Sequence, residues 1–219
     1  VRLSSPEIAN RTLSGLLDTG AEVIDAGITT TPMHYWIVGR DQADGGIMVT
    51  ASHNPKEYNG FKLSGRGVEP FGGENGFDDL KRLMVEGSAR TAGERGSVIE
   101  RDCLGDYISF LAGQGFAFTP LKVVVDAANG SAGRVLEKIF EHYSSLNIIP
   151  LGFKADGNFP SHDPNPLKDE VINQLAAIVS EEHADLGVIF DGDGDRVVCL
   201  DEKGRHIRGD TLSALIASR

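Results

Sequence analysis

The chain has 219 residues, 40% hydrophobic and 24% charged, with a net charge of −11. That fits one large or two small packed domains, excludes wholesale disorder and argues against a nucleic-acid surface. No apolar run approaches the ~20 residues of a membrane span, no basic-then-apolar leader opens the chain, and two cysteines, Cys103 and Cys199, are too few for a disulfide scaffold, so the expected compartment is the cytoplasm.

In chain order, Ser5-Pro6 reads as a helix N-cap followed by proline at the first helical position. Ile8, Leu13, Leu16 and Leu17 carry that helix to Gly20. A unit that opens on a helix is expected to lack its first strand and to leave a sheet edge unpaired. Glu22 to Asp25 is a short strand, and Thr31-Pro32 starts a second helix with Tyr35, Trp36 and Val38. Ile47 to Thr50 is a buried strand, with Phe61 to Leu63 returning after the Asn59-Gly60 turn. Phe77 to Val85 closes the unit as a helix. Glu86 to Val98 holds no large apolar residue before its last, which marks a linker.

Beyond it, Leu104, Tyr107, Ile108 and Leu111 have helical spacing. Leu121 to Asp126 is a β-branched strand that ends in the loop AANGSAG. A helix follows through Val135, Leu136, Ile139, Phe140 and Tyr143, then a strand from Asn147 to Leu151. Ala155 to Pro166, ADGNFPSHDPNP, is a loop, and Ile172, Leu175, Ala176 and Val179 form a helical face. Leu186 to Phe190 is a strand with Val197 to Leu200 as its hairpin partner, and Asp210 caps a final helix through Leu212, Leu215 and Ile216. The alternation predicts an α/β fold, with two related three-layer α/β domains and mixed, mostly parallel sheets, over residues 1–87 and 98–219. The second is expected to be the better packed.

Two segments carry chemistry. In TASHNPKEYNGFK, Thr50 to Lys62, an exposed serine at the end of a buried strand is where a nucleophile is presented on rigid support. His53 is adjacent, but neighbours in extended backbone point to opposite faces, so it is poorly placed to deprotonate Ser52. The plain alternative is a polar turn with a solvated histidine. In DGDGDR, Asp191, Asp193 and Asp195 alternate with glycines between two apolar strands. If the loop curls, three carboxylates converge and repel unless a cation sits between them, and hard oxygen ligands select Mg²⁺ or Ca²⁺. An acidic hairpin tip in water is the alternative. An EF-hand would use the same aspartates with Glu202 at position 12, but Arg196 stands where glycine is needed and the flanks read as strands. A haloacid-dehalogenase pattern would make Asp191 the nucleophile, yet the residues after Asp195 are too few for that family's downstream lysine and acidic motifs.

Together the two segments, with ADGNFPSHDPNPL at Ala155 to Leu167 and HIRGDTLSALIA at His206 to Ala217, resemble the α-D-phosphohexomutase superfamily, specifically its phosphomannomutase/phosphoglucomutase branch. The resemblance covers essentially the whole chain. It implies a longer protein of four domains, of which this chain would hold domain 1 without its start and domain 2. The sugar-specificity loop of domain 3 and the phosphate site of domain 4 would lie outside it. It further implies that Ser52 carries a phosphoryl group, interconverting hexose 1-phosphate and hexose 6-phosphate through a hexose 1,6-bisphosphate. Mg²⁺ would be held by Asp191, Asp193, Asp195 and an oxygen on Ser52, with Lys62 as general acid/base and His53 in support. Arg196 would contact substrate phosphate or pair with the aspartates. The YNGFK that follows the serine favours this branch over phosphoglucosamine mutase. A non-enzymatic alternative is a phospho-acceptor and metal-binding unit without turnover. Because ligands gather beyond the carboxyl ends of strands in α/β sheets, Ser52 and the acidic loop are expected to face each other across a cleft between the two units.

Overall fold

Strands and helices alternate along both halves of the computed structural model, which describes residues 1–72, 76–87 and 91–218. The first half contains α1 (Ser5–Asp18), β1 (Val23–Asp25), α2 (Thr31–Arg40), β2 (Gly45–Val49), β3 (Phe61–Gly65) and α3 (Asp78–Glu86). The cap of α1 is Ser4, not the predicted Ser5, which is the first helical residue. Neither hydroxyl caps the helix, because both accept from the Asn59 side-chain amide at 3.0 Å. That bond ties α1 to the end of the serine loop.

The predicted linker is not free along its described residues. Ala92 N–H donates to Asp18 O at 3.0 Å, Gly96 N–H donates to Leu17 O at 2.7 Å, and β4 (Val98–Glu100) pairs in parallel with β1. A Cβ on Gly96 would lie 1.9 Å from Ala21 O, so only glycine fits there. Residues 88–90 of that stretch lie outside the described residues. β2 and β3 form a separate antiparallel ladder, not hydrogen-bonded to β1 and β4.

The second half runs α4 (Leu104–Ala112), β5 (Leu121–Asp126), α5 (Ala132–Phe140), β6 (Leu146–Leu151), α6 (Asp169–Glu181), β7 (Leu186–Phe190), β8 (Val197–Leu200), β9 (His206–Ile207) and α7 (Gly209–Ala217). Its sheet has the order β6-β5-β7-β8-β9, parallel from β6 to β7 and antiparallel beyond. The mixed sheets agree with the predicted α/β class. The run of valines in β5 explains its interior place, with a parallel neighbour on each side, since β-branched residues with both faces covered suit a parallel strand. Val124 joins Ile189, Val198 and Leu200 against Val171, Leu175 and Val179 of α6. Val123 and Val125 face the other way, onto Ala132 and Leu136 of α5. The result is helix, sheet, helix. The last helix starts one residue before the predicted cap: Arg208 is the N-cap, and Asp210 sits in the first turn paired with Arg208 at 2.7 Å. The halves are joined where Met33 and Ile37 of α2 bury against Cys103 and Tyr107.

The loop at 155–166 is pinned by His162, whose side chain is 8% exposed. His162 Nε2 lies 2.9 Å from Asp126 Oδ2 and Nδ1 lies 2.8 Å from Asp163 O. Both ring nitrogens face acceptors, so the doubly protonated ring satisfies both. Burial alone would lower its pKa, but the hydrogen bonds and charges of Asp126 and Asp163 raise it above the usual histidine value. A folded pKa above the unfolded one means that the stabilisation is complete below the unfolded value and fades as pH rises through the folded one. The stability advantage of the parent over His162→Asn is therefore expected to shrink in urea titrations run at rising pH from the usual histidine value of 6.5 upward. An advantage that is flat or grows over that range contradicts this account.

Candidate active site

The loop between β2 and β3 spans residues 50–60 and carries Ser52 with a φ of 50°, in the left-handed region. A non-glycine residue holds that conformation only when its surroundings over-determine it. Here Ser52 N–H donates to Thr50 Oγ1 at 2.9 Å, and Asn54 N–H closes the turn on Ala51 O at 2.9 Å. The acidic loop follows β7. Asp191 Oδ1 accepts from the N–H groups of Asp195 and Arg196 at 3.1 and 3.2 Å, and Gly194, with φ 73°, supplies the curl. This draws one oxygen each from Asp191, Asp193 and Asp195 to within 4.8 Å of one another. Two helix N-termini hold the loop from behind. Thr31 N–H of α2 donates to Asp193 O at 2.9 Å, and Ser131 N–H, just before α5, donates to Gly192 O at 3.0 Å.

The structure brings the two motifs together. Ser52 Oγ donates to Asp191 Oδ2 at 2.7 Å across 139 residues of sequence. Lys62 Nζ lies 2.8 Å from Asp193 Oδ2 and 2.5 Å from Asp195 Oδ2. Thr31 and Thr50 hydroxyls also donate to Asp193 Oδ2, at 2.9 and 3.0 Å. Asp193 Oδ1 is buried and has no hydrogen-bond partner. An orphaned carboxylate oxygen among converged carboxylates is an environment that a hard divalent cation completes, so these residues fit Mg²⁺.

The charges divide unequally. Burial, reinforced by repulsion from Asp193 and Asp195, pushes Asp191 up to about 6 despite the stabilising Ser52 bond. Burial acts the same way on Asp193, but the Lys62 ammonium outweighs it and holds that carboxyl below the usual range. The same pairing keeps Lys62 protonated: burial would lower its pKa, yet its two aspartate partners raise it.

His53 is closer to Ser52 than alternation predicts, with Nδ1 3.5 Å from Ser52 Oγ, because the left-handed turn at Ser52 breaks the extended geometry assumed for neighbours. Its Nε2 faces Arg196 Nη1 at 3.4 Å. A guanidinium only donates, so Nε2 accepts and the proton sits on Nδ1, pointing at the serine. Burial and Arg196 both lower the pKa of His53. The ring is thus a neutral donor toward Ser52, and it is not set to act as its base. Thr31, Thr50 and Arg2 touch this site without having been read as site residues. Thr31 registered only as a helix start, and no local spacing announces the other two.

Residues 1–75 match the family description "Phosphoglucomutase/phosphomannomutase, alpha/beta/alpha domain I", and residues 106–204 match the corresponding domain II. The chain belongs to the phosphoglucomutase/phosphomannomutase family. Phosphomannomutase of Vibrio cholerae is 36% identical over 99% of this chain and 48% of its own length. Phosphomannomutase/phosphoglucomutase of Pseudomonas aeruginosa is 39% identical over 99% of this chain and 46% of its own length. A crystal structure of a phosphoglucomutase/phosphomannomutase family protein from Burkholderia thailandensis superposes with a TM-score of 0.90 at 33% identity, covering 99% of this chain and 48% of that one. The chain spans about half the length of the curated relatives it matches. No helix among the described residues is long and apolar enough to cross a membrane.

Proposed function

We propose that this chain carries the phosphoryl-transfer centre of a Mg²⁺-dependent phosphohexomutase that interconverts the 1- and 6-phosphates of mannose or glucose. Residues 1–87 and 98–219 serve as its first two domains. The observation that carries this reading is the 2.7 Å bond from Ser52 Oγ to Asp191 Oδ2, which sets an activated hydroxyl at the rim of the acidic cluster. In the first half-reaction Ser52 Oγ attacks a phosphorus of a hexose 1,6-bisphosphate. The bond from phosphorus to the sugar oxygen breaks, leaving phosphoserine and a hexose monophosphate. The serine proton points at Asp191 Oδ2, and the Lys62 ammonium supplies a proton to the departing sugar oxygen. In the second, the free hydroxyl of the incoming hexose monophosphate isomer takes the phosphoryl group from phosphoserine, which restores the serine hydroxyl and gives the bisphosphate again; the bisphosphate turns over before Ser52 attacks the phosphate at its other position.

Mg²⁺, when held by Asp191, Asp193, Asp195 and an oxygen on the phosphorylated Ser52, supplies positive charge against the transferring group. Arg196, on the exposed side of the loop, is free to meet the substrate phosphate, and His53 donates toward Ser52 Oγ. Asp191 is fully buried behind Ser52, which argues against it as the acceptor.

The test is phosphopeptide mapping after incubation with a radiolabelled hexose 1,6-bisphosphate and Mg²⁺. An alkali-labile label on the Ser52 peptide is expected. A hydroxylamine-sensitive label on Asp191 would overturn the assignment.

A further inference from the structure

We infer that Arg2 is a positioning residue that clamps the Ser52 loop and couples it to the 155–166 loop of the second half. Arg2 is 4% exposed, and its guanidinium donates to three carbonyls of the turn: Ser52 O at 2.8 Å, Asn54 O at 2.7 Å and Pro55 O at 2.6 Å. Three carbonyls aimed at one point repel each other unless a cation with several donors gathers them, and a planar guanidinium does so from fixed directions.

The other side of the clamp belongs to the second half. The guanidinium carbon lies 5.3 Å from the centroid of the Phe159 ring, within cation–π range. Phe159 is buried, with φ 50°. Gly157 meets the backbone of residues 1–3 so closely that a Cβ there would lie 2.6 Å from Val1 O. Ser52 O, held by Arg2 on one side, is met on the other by Gly192, whose added Cβ would stand 2.8 Å away. The Ser52 carbonyl is thus fixed between Arg2 and the acidic loop, and the left-handed turn that aims Oγ at Asp191 follows from that fixation. This gives a role to ADGNFPSHDPNP: it backs the clamp.

The catalytic consequence rests on the phosphoserine reading above, whereas the clamp itself rests on geometry alone. The experiment compares the parent with Arg2→Lys, Arg2→Ala and Phe159→Leu by amide hydrogen exchange and by single-turnover labelling of Ser52. Lysine keeps the charge but not the fork. Arg2→Lys is expected to speed exchange across residues 52–58 while β5 stays protected, and to slow labelling by about 10- to 100-fold. Millimolar guanidinium is expected to restore loop protection and part of the labelling rate to Arg2→Ala, a rescue that a merely destabilised protein would not show. Phe159→Leu is expected to give the same loop-specific exchange in milder form and keeps the test alive if Arg2→Ala does not fold. Unchanged loop exchange in Arg2→Lys, or exchange raised equally in the loop and in β5, overturns the clamp. An unlabelled parent would end the phosphoserine reading alone, and the exchange contrast with its guanidinium rescue would still decide the clamp.

Discussion

Asp193→Ala is expected to weaken Mg²⁺ binding by on the order of 100-fold or more in titration calorimetry, since even outer-shell groups of metal sites cost 10–100-fold when removed. Asp193 is 2% exposed, and its two oxygens have different duties. Oδ2 is committed to Thr31, Thr50 and Lys62, while Oδ1 is buried without a partner. A buried carboxylate oxygen left unpaired is costly, and a bound cation would offset that cost. Alanine removes that oxygen together with one of the three charges that attract the metal. It also frees Lys62 from its more buried partner, leaving the ammonium to Asp195 at 2.5 Å. A second signature follows without metal. Part of the elevation of Asp191 to about 6 comes from the charge on Asp193, so carbon-detected NMR should find Asp191 titrating lower in the variant. Equal Mg²⁺ affinity in the two proteins would remove Asp193 from the site.

Much of this was legible in sequence, for reasons visible in particular residues. The strands at Leu121–Asp126 and Leu186–Phe190 stand where continuous apolar, β-branched runs place them, because a strand covered on both faces needs nothing from its partners to declare itself. The acidic loop was legible because three carboxylates two residues apart are costly in any other setting. Helix starts were less so. Ser4 and Ser5 would cap α1 in isolation, but their hydroxyls are taken by Asn59, 55 and 54 residues away. The same distance problem hid the site's supports. Thr31 reaches Asp193 across 162 residues, Thr50 across 143, and Arg2 reaches Ser52 across 50. A hydroxyl or guanidinium whose partner is that remote has no local periodicity to betray it. Alternation places His53 on the side away from Ser52, but it presumes extended backbone, and the turn at Ser52 is left-handed.

The whole centre is keyed through one glycine contact, and that yields the sharpest structural expectation. In Gly130→Ala the new Cβ would stand 2.5 Å from Gly192 O and 2.9 Å from Gly192 Cα. Both atoms are backbone, so no rotamer change relieves the contact, and a normal separation requires the acidic loop to retreat by on the order of 1 Å. Gly192 sits between Asp191, which holds Ser52 Oγ at 2.7 Å, and Asp193, which carries the unpaired oxygen. It also abuts Ser52 O on its other side, so a retreat moves Ser52 and the carboxylates together. The overpacking is expected to destabilise the protein by about 1–3 kcal/mol in urea titration. Ser52 labelling is expected to slow by about 100-fold, the usual consequence of an ångström-scale misplacement. Gly105→Ala is the matched control: a Cβ at that position in α4 meets nothing within 4 Å. There the gain in helix propensity should stabilise the protein by up to about 1 kcal/mol and leave labelling unchanged. If Gly130→Ala lost stability yet kept both its Mg²⁺ affinity and its labelling rate, the acidic loop would be shown to yield independently of the turn before α5, and Gly192 would not be the hinge on which Ser52 and the aspartates are jointly set.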